Sequence, residues 1–143
     1  MKNILFVHYG NDWIRGSEVV LLDMLTARVA QGENPILWCN SRCLADAAEK
    51  IGAKVIVDRF VCLGYWTLPR WDVVQYVKLL NKAKNILKAS NIDIVHCNNG
   101  GPCQWLSPIC KLTKVPLILH LHARYQQRDR LTLLFHFADR VIG

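Results

Sequence analysis

Short runs of apolar residues alternate with longer amphipathic segments along the chain. Residues 3–8 are almost entirely apolar, which is typical of a strand buried on both faces of a sheet. Residues 17–31 then carry apolar side chains at helical spacing. The pattern predicts that Ser17 caps this helix and that Gly32 ends it.

The same alternation continues to the end of the chain. We predict further strands at these positions: 35–39, 54–58, 93–97, 115–122 and, just beginning, 139–142. The intervening segments predict helices that begin at Ser41, Asp72 and Pro102, and a last helix over residues 127–137. In the helix after Asp72, a capping box pairs Asp72 with Gln75. The predicted buried stripe of that helix is Val73, Val77, Leu80, Ala83 and Leu87. Pro108 is expected to bend or shorten the following helix.

Strand and helix alternation with short connections indicates an α/β fold with a parallel sheet covered on both faces. Right-handed crossovers then favour a Rossmann-like, doubly wound, three-layered domain with the strand order 3-2-1-4-5-6. We expect residues 1–143 to form a single domain. Because the chain stops as its sixth strand begins, we interpret it as part of a longer protein.

Composition narrows the class of protein. The 143 residues are 52% hydrophobic and 20% charged, which excludes a disordered chain. Apolar runs fall short of the roughly 18–20 residues that a membrane span needs, and the first run is too short for a signal peptide. We therefore expect a cytoplasmic protein, with peripheral membrane contact left open. The six cysteines then read as reduced and mostly buried side chains.

The formal net charge is +7. A basic surface can attract nucleic acid, anionic lipid or a phosphorylated substrate. Seven of the 18 lysines and arginines fall in two groups: Lys78, Lys82, Lys84 and Lys88, then Arg124, Arg128 and Arg130. We interpret the lysine group as the solvent-exposed face of a helix rather than as a binding surface.

Three loops should meet beyond the carboxyl ends of the strands, where doubly wound sheets bind ligands. They are residues 9–18, 98–101 and 123–125. In the first loop Gly16 permits close backbone approach, and the N–H groups that follow it attract anions. The loop matches neither a dinucleotide fingerprint nor a phosphate-binding P-loop, so a plain strand-to-helix turn is the alternative.

Histidines lie near two strand ends. His120 and His122 should point to the same side of the sheet, with His96 on the neighbouring strand. Such a pair can begin a metal site, but no acidic ligand falls at a matching strand end, so we predict no metal. We interpret His122 as a hydrogen-bonding or polarising group and His120 as a packed core residue.

Residues 59–71 form a long loop that combines aromatic side chains with arginines. Its members are Arg59, Phe60, Tyr65, Trp66, Arg70 and Trp71. Such a set suits sugar stacking, nucleic-acid binding or a lipid interface, and it equally suits packing of the loop onto its own domain.

Four stretches carry a resemblance to a known family. They read ILFVHY…RGSEVVLLDML, DIVHCNNG, VPLILHLHAR and FADRVIG, in order and at fitting spacing. Together they resemble the N-terminal domain of glycosyltransferase family 4, which has the two-domain GT-B architecture. The likeness spans nearly the whole chain.

The resemblance implies retaining transfer of a sugar from a nucleotide-sugar donor to an acceptor, usually without a metal or other cofactor. In such enzymes the N-terminal half mainly holds the acceptor. The C-terminal half, which holds most of the donor, is absent from this chain and would be its natural partner. We therefore expect the chain alone to be inactive.

The resemblance also implies site residues, which we assign by matching positions in the family's motifs. The family's histidine after the fifth strand matches His122, which we predict to be catalytic through positioning and electrostatic help. The donor phosphate or sugar is expected at Arg15, Gly16 and Ser17. The predicted acceptor cleft is lined by Tyr9, Asn98, Asn99, Gly100 and Arg124. One departure from the family pattern is Ser17-Glu18, where many members have Gly-Ala-Glu, so Gly16 is the firm match.

Two other functions stay open. The first is a non-catalytic flavodoxin-like or Rossmann-like ligand-binding module. The second is a nucleic-acid-binding domain, which rests only on the net charge and the aromatic loop; we predict no nucleic-acid partner. A homodimer formed through the exposed surface near the strand ends is a further expectation.

Overall fold

The fold is a parallel sheet between two layers of helices. The computed structural model describes residues 2–65 and 69–143. The strands are β1 (Ile4–His8), β2 (Ile36–Cys39), β3 (Lys54–Val57), β4 (Ile94–Cys97), β5 (Leu117–His120) and β6 (Arg140–Ile142). Their order is β3-β2-β1-β4-β5-β6, and each neighbouring pair is parallel. This confirms the predicted Rossmann-like doubly wound sheet.

Helices connect the strands. They are α1 (Gly16–Ala30), α2 (Arg42–Ile51), α3 (Val73–Ala89), α4 (Cys103–Thr113) and α5 (Gln127–Thr132), followed by a 3₁₀ turn at Phe135–Phe137. In the part of the chain that the structure describes, none of these helices has the length and apolar character to cross a membrane.

The buried residues of β1 divide between the two faces of the sheet. Leu5 and Val7 pack into one core cluster, which also takes in residues of α3 and α4. Ile4 and Phe6 pack into a second cluster with residues of α1 and α2. Because successive side chains of a strand point to opposite faces, a strand buried on both faces reads as an unbroken apolar run.

Two helices have the N-terminal caps that the sequence predicts, α2 at Ser41 and α3 at Asp72. The Ser41 hydroxyl accepts a hydrogen bond from the Leu44 amide at 3.2 Å, and the Asp72 carboxylate accepts one from the Gln75 amide at 3.1 Å. Gly52 ends α2 with φ of 105°, a conformation that favours glycine. These contacts confirm the predicted starts of α2 and α3. The Gln75 side chain donates to the Arg59 carbonyl, so the second half of the predicted capping box is not formed.

The predicted cap at Ser17 is wrong. Helix α1 begins one residue earlier, at Gly16. The carboxylate of Glu18 reaches back to accept from the Arg15 amide at 3.1 Å, and the Ser17 hydroxyl donates to the same carboxylate at 3.1 Å. The Glu18 side chain, in the first turn, therefore bonds the backbone at the helix start, where Ser17 was expected to do so.

The buried stripe of α3 differs from the prediction in its first two turns. Val73 and Val77 are exposed, whereas Leu79, Ala83, Ile86 and Leu87 are buried. Gln75 and Tyr76 take the inward positions because each bonds a backbone carbonyl of a neighbouring segment, that of Arg59 at 2.6 Å and that of Gln104 at 3.0 Å.

Pro108 does not shorten α4, which continues to Thr113. A proline has no N–H to donate to the carbonyl four residues earlier, here that of Gln104. The Tyr76 hydroxyl donates to this carbonyl instead. The helix therefore continues past the proline, with the freed acceptor satisfied from α3.

Two elements are shorter than predicted. Strand β5 ends at His120, so His122 lies in the following loop rather than at the strand's last position. Helix α5 ends at Thr132, and Leu134 adopts a left-handed φ of 61°. The Leu134 carbonyl accepts from the Ser107 hydroxyl at 3.3 Å, and the break brings Phe135 into the core.

The aromatic loop packs partly onto its own domain. Phe60 is buried, and its ring lies 5.3 Å from Trp38 and 4.9 Å from Trp105, measured between centroids. Trp71 is exposed, and Trp66 lies outside the described residues. Five of the six cysteines are buried, as predicted for small apolar side chains, and Cys43 is half-buried.

His96 lies on β4 among apolar neighbours. Its ring centroid is 5.2 Å from that of Phe6 and 5.5 Å from that of His120. Its Nε2 atom is buried without a hydrogen-bond partner among the described residues. Burial, with a smaller contribution from His120 and His122, lowers the pKa of His96 to about 4.

We predict that the domain loses stability as pH falls from about 6.5 toward 4. The unfolded chain takes up a proton on His96 near its ordinary pKa, whereas the folded chain resists it, so acid favours unfolding. We expect this residue to account for about 1–3 kcal/mol of the loss. Urea unfolding of His96→Phe at several pH values should show a flatter acid limb. The exposed His136→Gln serves as the control, and an equal flattening there would contradict the assignment.

Candidate functional site

The three predicted loops meet at the carboxyl edge of the sheet, between its two central strands. Strands β1 and β4 are neighbours there although they are distant in sequence, because the sheet is wound outward in both directions from β1. In the second loop, Asn98 bonds Ser17 of the first loop, and Gly100 bonds Tyr125 of the third loop. The convergence expected from topology is therefore present.

Asn98 is fully buried and makes three side-chain hydrogen bonds. Its Nδ2 atom lies 3.0 Å from the Ser17 carbonyl oxygen and 3.1 Å from His8 Nδ1. Its Oδ1 atom lies 3.1 Å from His122 Nε2. One amide thus joins the start of α1, the end of β1 and the loop after β5.

Behind Asn98 lies a buried pair of titratable side chains. His8 ends β1 and Glu18 lies in the first turn of α1; their relative exposures are 1% and 4%. His8 Nε2 is 2.9 Å from Glu18 Oε1. The other carboxylate oxygen accepts from the Arg15 amide and the Ser17 hydroxyl. Each buried polar atom of this pair is therefore matched with a partner.

The environment fixes the charges of the pair. Burial opposes ionisation of Glu18, but the hydrogen bonds from His8 and from backbone N–H groups outweigh it, and the pKa of Glu18 is lowered. Burial also lowers the pKa of His8, against the raising effect of Glu18. At neutral pH the pair is therefore a carboxylate hydrogen-bonded to a neutral imidazole.

Residues 40–43, between β2 and α2, hold the first loop through four hydrogen bonds. Asn40, after β2, accepts from the Gly10 amide and donates to the Gly10 carbonyl, each at 2.9 Å. The Asp12 carboxylate accepts from the Ser41 hydroxyl and the Cys43 amide, each at 2.9 Å. These contacts hold the loop against α2 and so fix where α1 begins.

The start of α1 is open to solvent. Gly16 is exposed, and a Cβ atom built on it meets nothing within 4 Å. Arg15 is exposed and lies over the ring of Trp13, with Cζ 4.0 Å from the ring centroid. N–H groups in a helix's first turn lack intrahelical acceptors, so this end, with Arg15 beside it, suits an anion.

His122 lies at the same edge with its ring exposed. Its ring contacts that of His120, with centroids 4.1 Å apart and ring planes tilted by 38°. Partial burial, followed by the neighbouring His120 and His8, lowers the pKa of His122, although Glu18 raises it. His122 is therefore neutral at neutral pH and acts there as a hydrogen-bonding group rather than as a cation.

The predicted acceptor residues occupy different depths. Tyr9 and Asn99 are half-buried and bonded to each other: the Tyr9 amide donates to Asn99 Oδ1 at 3.2 Å, and Asn99 Nδ2 donates to the Tyr9 carbonyl. Arg124 is exposed. Gly100 is buried beneath the rings of Tyr125 and Phe135, and its amide donates to the Tyr125 hydroxyl at 3.1 Å. Asn98 and Gly100 thus support the edge from below.

Three histidines lie near this edge, namely His96, His120 and His122. Among the residues that the structure describes, no group of three His, Cys, Asp or Glu side chains is arranged to hold a metal ion. His120 Nδ1 is buried without a hydrogen-bond partner in the same part of the chain.

Sequence reasoning missed His8 and Glu18 as parts of the site. Two signals could have indicated them. His8 closes an otherwise apolar strand, and Glu18 precedes four apolar residues at the start of a helix. A polar side chain in such a position is rare unless it has a buried partner.

A family model describes nearly all of this chain. The model of Glycosyltransferase Family 4 matches residues 14–143. No curated protein matches the sequence.

Solved structures share the fold at low sequence identity. MurG of Acinetobacter baumannii is 12% identical with a TM-score of 0.72, over 99% of this chain and 40% of that protein. Anabaena Alr3699/HepE, solved with UDP and glucose, is 18% identical with a TM-score of 0.69, over 100% and 38%. A glycosyltransferase from Rickettsia africae is 19% identical with a TM-score of 0.67, over 87% and 31%. The chain therefore spans 31–40% of these structures and matches one half of the GT-B fold.

We predict that Glu18→Ala destabilises the domain by about 2–4 kcal/mol. The substitution leaves the Arg15 amide and the buried His8 ring without their acceptor. Urea unfolding followed by circular dichroism measures the change. Asp23→Ala is the matched control, because Asp23 is exposed on the same helix. Equal stabilities for the two variants would show that the buried pair contributes nothing to folding.

Proposed function

The chain belongs to glycosyltransferase family 4, and we propose that it is the acceptor-side, N-terminal half of an enzyme that transfers a sugar from a nucleotide-sugar donor. The observation that carries the proposal is the joint placement of an open helix start and a neutral histidine. Both are held by the Asn98 amide, which bonds the Ser17 carbonyl and His122.

The helix start would receive the donor's phosphate. Breaking the bond between the sugar and the phosphate leaves negative charge on the departing oxygens, and fixed N–H groups stabilise that charge. Gly16 leaves room for the phosphate to approach the backbone. Arg15, held over Trp13, adds a positive charge beside the same point. HepE, which shares the fold, was solved with UDP and glucose, and this supports a nucleotide-sugar donor.

His122 would contact the reacting sugar rather than act as a nucleophile. Its ring is neutral and fixed on one edge by Asn98, so the other edge can orient a substrate. We assign it positioning and electrostatic help. Retention of configuration and a reaction without a metal come with the family resemblance and are part of the proposal.

The acceptor would lie over the half-buried Tyr9 and Asn99 and the exposed Arg124. Rigid support below this surface comes from the buried Asn98 and Gly100. The second wall of the cleft would come from a C-terminal half, since the chain spans only 40% of MurG. Closing a cleft between two halves excludes water and so limits hydrolysis of the donor.

Location and assembly stay predictions. Leu131 and Phe137 are exposed near Arg128 and Arg130 in the sequence, which favours peripheral contact of a cytoplasmic protein with an anionic membrane. Trp13, Ile14 and Val19 are exposed near the strand ends, a surface that suits the missing half or a second copy.

We predict that His122→Ala and Gly16→Val lower turnover about 10²–10³-fold in the complete polypeptide that carries both halves. Each removes one contact to the reacting donor while leaving the fold intact. Gly16→Val adds a side chain where a Cβ meets no neighbour, so its melting temperature should hardly change. Turnover with a nucleotide-sugar panel and thermal melting are measured together.

His120→Ala is the control for this pair. Its ring packs between those of His96 and His122, so it should cost more in melting temperature than in turnover. Near-normal turnover of a folded His122→Ala or Gly16→Val would remove that residue from the site. A His122→Ala variant that chiefly loses stability would instead make His122 a structural residue.

We predict at best weak nucleotide binding and no measurable transfer by this chain alone. The chain spans 40% of MurG, and the half that would hold most of the donor would lie in the remainder of such a protein. Titration calorimetry with UDP and UDP-glucose tests the binding. Tight and specific binding would contradict the acceptor-side assignment and favour a self-sufficient ligand-binding module.

A further inference from the structure

The orientation of the Asn98 amide follows from one contact. A carbonyl oxygen can only accept hydrogen bonds, and the Ser17 carbonyl lies 3.0 Å from one terminal atom of the Asn98 side chain. That atom must therefore be the NH₂ group. The remaining terminal atom, which faces His122, is then the oxygen.

The second N–H of the same amide points at His8. It lies 3.1 Å from Nδ1, which must accept and so carries no hydrogen. The proton of the neutral His8 ring is then on Nε2, and it is donated to Glu18 at 2.9 Å. The carboxylate, the ring and the amide form one chain of hydrogen bonds with a single direction.

The orientation of the Asn98 amide also fixes which nitrogen of His122 carries the proton. The Asn98 oxygen can only accept, so His122 Nε2 carries the hydrogen and donates it across 3.1 Å. In a neutral ring the other nitrogen, Nδ1, is then a bare lone pair. The ring is exposed, and within residues 2–65 and 69–143 no hydrogen bond to its Nδ1 is present.

We propose that Asn98 is a positioning residue that holds His122 with its proton on Nε2 and thereby presents Nδ1 to the substrate as a hydrogen-bond acceptor. The group that His122 recognises must then bring its own hydrogen. In the substrate class proposed above, on which this part rests, that group is a sugar hydroxyl and not an ionised phosphate oxygen.

The helix start and His122 offer opposite hydrogen-bonding groups, and this supports a sugar hydroxyl as the partner of His122. Phosphate oxygens are acceptors and suit the N–H groups at Gly16 together with the guanidinium of Arg15. An imidazole lone pair would repel them. Sugar hydroxyls can donate, so a sugar linked to a phosphate at the helix start finds its complementary atom in His122 Nδ1.

The first test reads the protons directly. With ¹⁵N-labelled histidine in this chain, long-range ¹H–¹⁵N NMR should show His122 with a protonated Nε2 and a bare Nδ1. On acidification Nδ1 should be the atom that takes up the proton. A native ring protonated at Nδ1, or an even mixture of both forms, would overturn the proposal without any variant.

The second test removes the positioning residue. In Asn98→Ala the Nε2 proton of His122 should exchange with water about tenfold faster, and both tautomers should appear. Asn40→Ala is the matched control, because Asn40 also bridges backbone groups through its amide but does not touch His122. Unchanged His122 signals in a folded Asn98→Ala would overturn the proposal. If Asn98→Ala does not fold, the NMR spectrum of the native chain and its change on acidification still test the proposal.

The third test separates hydroxyl from phosphate in the complete polypeptide. The titratable groups that face His122 are His120 from β5, His8 from β1 and Glu18 from α1. Turnover should fall as pH drops through the His122 titration, and His122→Ala should lose that limb. Turnover that rises on protonation would instead mean that His122 donates to phosphate. If the NMR result is as expected but the complete polypeptide transfers no sugar, the proposed function is contradicted and the role of Asn98 is not.

Discussion

A buried primary amide must satisfy two N–H donors and one oxygen at once, and the site depends on how Asn98 meets that requirement. Each of its three partners belongs to a different part of the chain: Ser17 at the start of α1, His8 at the end of β1, and His122 beyond β5. Leaving one such group unpaired costs about 1–3 kcal/mol. The three segments therefore cannot shift independently, and the carboxyl edge of the sheet keeps one arrangement.

The amide in turn needs the His8 ring in a fixed position, and the Glu18 carboxylate holds that ring. A buried carboxylate stays ionised only where donors surround it, and Glu18 has three, from His8, the Arg15 amide and the Ser17 hydroxyl. Because the carboxylate can only accept, it sets the direction of the hydrogen bond from His8. Two independent acceptors, this carboxylate and the Ser17 carbonyl, thus impose the same orientation on the network.

The fold was predictable because its signals are regular along the chain. An apolar run such as residues 3–8 can be satisfied only by a strand covered on both faces, and right-handed crossovers restrict the order of the strands. What failed were positions where one side chain overrides a local preference. Glu18 displaced Ser17 from its expected capping role, and Tyr76 rescued the carbonyl that Pro108 frees. The contact between Tyr76 and Gln104 joins segments that are 28 residues apart, so it leaves no local pattern to read.

The candidate site was predictable to the level of loops but not of atoms. Topology alone brought together Gly16, Asn98 and His122, because strand ends in a doubly wound sheet share an edge. Topology could not tell that Asn98 is buried while Gly16 is open, and this difference divides their roles. A residue that supports three segments from inside the protein is held by folding, whereas one that faces solvent with no neighbour within 4 Å is available to a ligand. Depth below the edge, rather than nearness to it, therefore separates the residues that build this site from those that would touch a substrate.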